Sequence, residues 1–179
     1  MNELPRLNTL AYLGLWLAIA AGLILMRMLP LSSGQGGWPA PDVLLALTLA
    51  WVLRRPTQLP APVIALVFLV EDLFLMRPPG LWALTVLVGT EFLRRRQSVV
   101  RELNLMLEWG MVAAVITAMF FAYRMGLAIV IAPRAPLDLS LMQLVFTVLV
   151  YPLVVWGLQN VLRVRKPATG ELDELGRKL

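Results

Sequence analysis

Six apolar runs follow one another along the 179-residue chain, separated by short polar segments or by segments rich in Pro and Gly. A helix rises about 1.5 Å per residue, so about 20 apolar residues cross the ~30 Å hydrocarbon core of a bilayer. The pattern therefore predicts an all-α integral membrane protein with six transmembrane helices in residues 1–165 and a cytoplasmic tail in residues 166–179. The predicted spans are residues 7–29, 41–53, 59–76, 81–93, 104–132 and 139–162.

The third and fourth runs are predicted to form a hairpin. Pro78, Pro79 and Gly80 separate them. Proline cannot continue the hydrogen bonds of a helix, and glycine tolerates turn geometry. Three arginines, at residues 94–96, end the fourth run. Such a cluster is costly to translocate, so it predicts that this end of the hairpin lies in the cytoplasm.

Basic residues are unevenly divided between the alternate ends of the predicted helices. If the N-terminus is cytoplasmic, only Arg27, Arg77, Arg124 and Arg134 of the 16 Lys and Arg residues fall outside or within the membrane. The excess of basic residues in cytoplasmic loops predicts six spans with both termini in the cytoplasm. The second run is short, so we expect residues 38–41 and the pair Arg54 and Arg55 to lie in the two interfaces.

Composition supports a membrane protein and leaves little catalytic equipment. The chain is 59% hydrophobic and only 15% charged, with a mean hydropathy of +0.76. The net charge of +5 comes from short loops, so we expect it to orient the protein in the membrane rather than bind nucleic acid. The chain lacks Cys and His, which removes the commonest nucleophilic thiol, metal ligands and general base. We expect a protein that is not an enzyme and has no catalytic residue, cofactor or metal site.

Several charged residues fall inside the apolar runs, where ionisable groups are rare and are often functional. Glu71 and Asp72 lie near the outward end of the third run, and Asp42 begins the second. Neighbouring helical residues point about 100° apart, so we expect only one of Glu71 and Asp72 to face the bundle. Arg27 and Arg124 are candidate partners for these acids. The cluster could stabilise the fold, bind a partner, or hold a substrate or proton. Glu91 is expected to pair locally with the arginines that follow it.

Small residues recur every four positions in two runs, a spacing that lets helices approach closely in lipid. Gly14, Ala18 and Gly22 form one such stripe in the first run. The second, in the fifth run, consists of Gly110, Ala114, Ala118, Ala122 and Gly126. Both stripes could serve packing within this protein. They could equally dock a helix of another protein or of a second copy in a homodimer.

The order of these features resembles the rod shape-determining MreD family over residues 38–167. The residues that carry the resemblance are Pro41 and Asp42 at the start of the second run, Arg54-Arg55-Pro56 at its end, Glu71-Asp72-Leu73 before the Pro79-Gly80 turn, and Tyr151-Pro152-Leu153 before a basic end. The resemblance implies a six-helix bundle similar to the substrate-binding subunits of energy-coupling-factor vitamin transporters. It also implies a place in the cell-wall elongation complex of the bacterial cytoplasmic (inner) membrane, with the bitopic protein MreC, the MreB filament, and a peptidoglycan polymerase with its transpeptidase.

The resulting hypothesis is a scaffold that binds MreC and helps to regulate lateral peptidoglycan synthesis and rod shape. An alternative is a vitamin-type carrier subunit with a polar pocket formed by Asp42, Glu71, Asp72 and Arg124. A third possibility, a lipid-modifying enzyme with Glu71 or Asp72 as a base, is disfavoured because neither a nucleophile nor a metal-ligand cluster accompanies these acids.

Overall fold

The computed structural model describes residues 4–29, 39–97, 100 and 104–160. Within these ranges the chain is helical and contains no strand. Each of the six apolar runs coincides with one helix, and a short 3-10 helix, Pro56–Gln58, follows the second. The helices are α1 Leu4–Met28, α2 Val43–Arg54, α3 Ala61–Phe74, α4 Leu81–Arg95, α5 Leu105–Ile129 and α6 Leu137–Asn160. The predicted tail, Trp38 and most of the segment before it lie outside the described residues.

The helices fall into two length classes. Helices α1, α5 and α6 have 25, 25 and 24 residues, and each is long and apolar enough to cross a membrane. At about 1.5 Å per residue they measure about 36–38 Å. Helices α2, α3 and α4 have only 12, 14 and 15 residues and measure about 18–23 Å. The three long helices indicate membrane association.

Helix α2 lies at the centre of the bundle. Every residue from Leu44 to Arg54 is buried, and α2 packs against α6, α4 and α1. A helix that is apolar all round belongs in such an interior. Arg54, which the sequence predicts in a membrane interface, is fully buried in the bundle and donates a hydrogen bond to Glu108 of α5.

The turn between α3 and α4 matches the prediction from Pro78, Pro79 and Gly80. Helix α3 ends at Phe74, and α4 begins directly after Gly80, whose φ of 84° lies in the left-handed region. Glycine adopts this conformation without the steric penalty of a Cβ atom. The two helices pack closely along their length, so the turn closes an antiparallel hairpin.

Contacts between helix ends show that the helices run alternately up and down. Arg27 near the end of α1 contacts Asp42 at the start of α2 and Glu71 near the end of α3. At the opposite end of the bundle, Arg54 closing α2 contacts Glu108 in the first turn of α5. We call these the Arg27 end and the Arg54 end. Helix α5 continues through Tyr123 and Arg124, which interrupt its apolar run, and α6 continues through Pro152.

Candidate functional site

A charged cluster at the Arg27 end joins three helices. The Arg27 guanidinium lies 2.8 Å from Asp42 Oδ1, and its Nη1 donates to Glu71 Oε1. Asp42 also caps α2, since its Oδ1 accepts a hydrogen bond of 2.9 Å from the Leu45 amide. The pairing of Arg27 with Glu71 agrees with the sequence prediction. Because the Arg27 side chain is 19% exposed whereas Glu71 is fully buried, the cluster reaches from the interior to the bundle surface.

Glu71 and Asp72 are both fully buried, so the expectation that only one of them faces the bundle is wrong. Their side chains use different partners. Glu71 contacts α1 through Arg27, whereas Asp72 Oδ2 accepts hydrogen bonds from the amides of Gly80 at 3.0 Å and Ala83 at 3.2 Å. Asp72 thus satisfies backbone donors at the start of α4. Helix α3 has neighbours on two sides, which accommodates two carboxylates that point about 100° apart.

Arg124 is held apart from these acids. Its Nη1 donates to the Ala135 carbonyl at 3.3 Å and to Ser140 Oγ at 3.0 Å, and its guanidinium lies 5.8 Å from the centre of the Phe120 ring. The predicted pairing of Arg124 with Glu71 or Asp72 is therefore not formed. The reason is local, because the last turns of α5 face the first turn of α6 and the connection between them.

A cavity of about 230 Å³ lies beside the charged cluster. One part of its wall is apolar and includes Leu45, Trp82, Ile116 and Leu144. The other part brings together polar side chains from α2, the α3–α4 turn, α5 and α6. They are Asp42, Arg77, Tyr123, Arg124, Ser140, Gln143 and Thr147. Glu71 and Asp72 are not among the described residues that line it, so the pocket differs from the predicted one.

A second buried cluster, at the Arg54 end, was missed by the sequence analysis. Arg54 Nη1 donates to Glu108 Oε1 at 3.0 Å and to the Ala50 carbonyl at 3.1 Å. Tyr151 donates its hydroxyl to the same Glu108 oxygen at 2.7 Å. All three side chains are buried, so the cluster ties α2, α5 and α6 together. A signal was present, because alternating helices place Arg54 and Glu108 at the same end of the bundle.

One of the three arginines that end α4, Arg94, holds a neighbouring loop in place. Arg94 Nε donates to Glu91 Oε1 at 2.8 Å, which is the predicted local pair. The same guanidinium donates to the carbonyl of Leu59 at 2.7 Å and to that of Pro56. Arg94 therefore fastens the connection between α2 and α3, while Arg95 and Arg96 stay exposed.

A groove of about 610 Å³ runs between α4 and α5. Its walls carry the exposed side chains of Leu84, Val88 and Phe92 from α4, and Ala114, Ala118 and Ala122 of the α5 stripe contribute the opposite surface. Arg96 marks its Arg54 end, 4.5 Å from the Phe92 ring centre. The groove opens on the outside of the bundle.

The two small-residue stripes contact other helices of the bundle at one position and face outward at most others. A Cβ at Gly126 would lie 2.7 Å from Leu81, so this glycine serves the contact between α5 and α4. A Cβ at Gly110 would meet no other helix within 4 Å, and Gly110, Ala114 and Ala118 are exposed. Gly14, Ala18 and Gly22 of α1 are exposed as well, and a Cβ at either glycine would meet no neighbour. Most of both stripes is therefore free for contacts outside the bundle.

The described residues bring no three Asp or Glu side chains close enough together to hold a metal ion. What they offer is a charged cluster with an adjacent polar cavity at one end and an open apolar groove on the outside. No family model matches the chain, and neither a curated protein nor a solved structure matches it.

Proposed function

We propose that this protein is a non-enzymatic scaffold of the bacterial cytoplasmic (inner) membrane, with six crossings and both termini in the cytoplasm. In this proposal it belongs to the cell-wall elongation complex, binds MreC through membrane helices and outward loops, and helps to regulate lateral peptidoglycan synthesis and rod shape. The MreB filament and the peptidoglycan polymerase with its transpeptidase are other members of the complex. The observation that carries the proposal is the open groove between α4 and α5.

The groove has the composition that favours association between helices in lipid. Lipid chains are as apolar as the helices, so association depends on close packing and backbone approach. The small side chains of Ala114 and Ala118 leave room for another backbone, and Leu84, Val88 and Phe92 supply large side chains that can interdigitate with it. A single apolar helix, such as the one membrane span of MreC, suits this shape.

Alternating helix directions support the six-crossing topology within the proposal. They place Arg55, Arg95 and Arg96 together at the Arg54 end, where we place the cytoplasm. The short helices α2, α3 and α4 are compatible with crossing because α2 packs against the long helices α6 and α1 and because local bilayer thinning accommodates short spans.

The groove is tested by filling it without disturbing the fold. We expect Ala114→Ile and Ala118→Ile, which both line the groove, to reduce co-purification of MreC from detergent extracts about tenfold and to impair rod shape, because the larger side chains hold the partner backbone away. Gly157→Ile on α6 is the matched control, since a Cβ there meets nothing within 4 Å and Gly157 does not line the groove. Unchanged MreC recovery with both groove variants, at normal protein levels, would contradict the proposed face.

One observation favours the alternative of a small-molecule carrier, namely the cavity lined by Asp42, Arg77 and Arg124. A carrier needs such a polar pocket near the membrane, whereas a scaffold does not. Uptake of small solutes into proteoliposomes that contain only this protein and an energising module separates the two hypotheses. The scaffold hypothesis expects no uptake, together with loss of rod shape when the gene is deleted.

A further inference from the structure

The cavity at the Arg27 end contains two arginines that form no salt bridge with another described residue, and one of them, Arg77, lies close enough to Glu71 and Asp72 to interact with them electrostatically. Arg77 and Arg124 both line it, and neither forms an ion pair with a carboxylate anywhere in the described ranges. The Arg77 guanidinium lies 6.0 Å from the centre of the Trp82 ring. Arg124 uses Nη1 for neutral oxygens of Ala135 and Ser140. Two positive charges therefore face one space of about 230 Å³.

The carboxylate and the threonine hydroxyl that line this space are already engaged. Asp42, the carboxylate in the lining, is paired with Arg27 and accepts from the Leu45 amide. Thr147 Oγ1 accepts from the Asp42 amide at 2.9 Å and donates to the Gln143 carbonyl at 2.7 Å. Glu71 and Asp72, which do not line the cavity, each bond through one oxygen, to Arg27 and to the amides at the start of α4, whereas Glu71 Oε2 and Asp72 Oδ1 accept no hydrogen bond from the described residues. What the cavity still offers is hydrogen-bond donors with positive charge.

We propose that this cavity binds a phosphate-bearing ligand, with Arg77 and Arg124 as its two cationic contacts. Guanidinium groups present several N–H donors in a planar arrangement that matches phosphate oxygens, and charge-assisted hydrogen bonds of this kind are strong. The apolar wall of Leu45, Ile116 and Leu144 suits an uncharged part of the same ligand. The inference does not depend on the scaffold function, because the cavity and the α4–α5 groove are lined by different residues.

The position of the cavity allows two sources of phosphate. It lies where α1, α3 and α5 end and where α2, α4 and α6 begin, which is one of the two levels of the bundle that lie near lipid headgroups if the helices cross the membrane. The phosphate could belong to the headgroup of an anionic phospholipid or to a soluble phosphorylated molecule. Both present the same oxygens to Arg77 and Arg124.

Binding can be measured on the full-length protein after purification and delipidation in a neutral detergent. Native mass spectrometry with added phosphatidylglycerol tests the headgroup source, and calorimetry with inorganic phosphate tests the soluble source. We expect saturable binding in at least one arm, weakened about tenfold by Arg77→Gln and by Arg124→Gln because each removes a charge-assisted contact. Binding in the lipid arm alone identifies a headgroup, and binding in the phosphate arm alone identifies a soluble ligand.

Two further variants distinguish binding at this cavity from a general effect of removing positive charge from the protein. Arg134→Gln removes an exposed arginine of the α5–α6 connection that does not line the cavity, so it should leave binding unchanged. Arg77→Lys keeps the positive charge but not the planar set of donors, so it should lose clearly less affinity than Arg77→Gln, which guards against a variant that merely misfolds. Absence of binding in both arms, or equal losses with Arg134→Gln and Arg77→Gln, would overturn the proposal.

Discussion

Individual charged residues at the two ends of the bundle occupy very different environments. Arg27 reaches the surface, whereas Arg54, Glu108 and Tyr151 are buried together. Removing one member of a buried ion pair leaves the other charge uncompensated, which typically costs about 3–5 kcal/mol. A partly exposed pair within one helix, such as Glu91 with Arg94, contributes only about 0–1 kcal/mol. Stability should therefore depend strongly on the Arg54 cluster and weakly on the pair in α4.

This difference is measurable by thermal unfolding in detergent. We expect Glu108→Leu to lower the unfolding temperature strongly, because it leaves the Arg54 charge buried without its carboxylate. Tyr151→Phe removes one hydrogen bond to Glu108 and should reduce the free energy of unfolding by about 1 kcal/mol. Glu91→Gln should have almost no effect. Similar shifts for Glu108→Leu and Glu91→Gln would refute the importance of the buried cluster.

At the scale of helices, the glycines of α4 and α5 fall into two kinds. Some face another helix of the bundle, and others face outward. A Cβ at Gly89 in α4 would overlap the Met119 side chain of α5, whereas a Cβ at Gly110 in α5 would meet no other helix. Gly89 thus leaves space that the Met119 side chain occupies. Gly110 has no such neighbour, so a larger residue there should act only on a partner outside the bundle.

The corresponding prediction compares the same substitution at the two glycines. Gly89→Val should reduce the free energy of unfolding by about 1–3 kcal/mol, because Met119 and its neighbours must shift to relieve the overlap. Gly110→Val should change it by less than about 0.5 kcal/mol, since it is exposed to solvent or lipid. Chemical or thermal unfolding of the purified variants measures both. Equal losses of stability for Gly89→Val and Gly110→Val would contradict the conclusion that Gly89 faces a neighbouring helix and Gly110 faces outward.

For the whole molecule, the alternating helices place the connections of the chain at two opposite ends. Thr57, in the 3-10 helix at the Arg54 end, and Ala135, in the α5–α6 connection at the Arg27 end, are both exposed. In the proposed topology the Arg54 end lies in the cytoplasm and the Arg27 end outside it. The chain contains no Cys, so single cysteines can report on each end.

We expect a thiol reagent that cannot cross membranes to label Ala135→Cys in intact spheroplasts and Thr57→Cys only after permeabilisation. Each variant contains one reactive thiol, and the Cys-free parent is the background control. Labelling of both positions from the same side would contradict the alternating topology. The reverse pattern would place the N-terminus outside the cytoplasm.

The sequence predicts the helices well because apolar runs and turn residues are local signals. The turn at Gly80, the cap provided by Asp42 and the pair between Arg27 and Glu71 all follow from such signals combined with alternating topology. The burial of Arg54 does not follow, because its partner Glu108 is 54 residues away and hydropathy carries no information about pairing. The sequence predicts the cavity only in part, because it brings Asp42 and Arg124 together but contains no signal that Arg77 lines the same space.

The central position of α2 has a consequence for biosynthesis. Its two ends depend on groups that are translated much later, namely Thr147 for the Asp42 amide, and Glu108 and Tyr151 for Arg54. While these groups are still in the ribosome, a nascent α2 has a charged arginine and only about 18 Å of apolar helix, which is too short for stable independent insertion. We therefore expect α2 to remain close to the insertion machinery until α5 and α6 emerge, so that the centre of the protein is the last part to reach its final place.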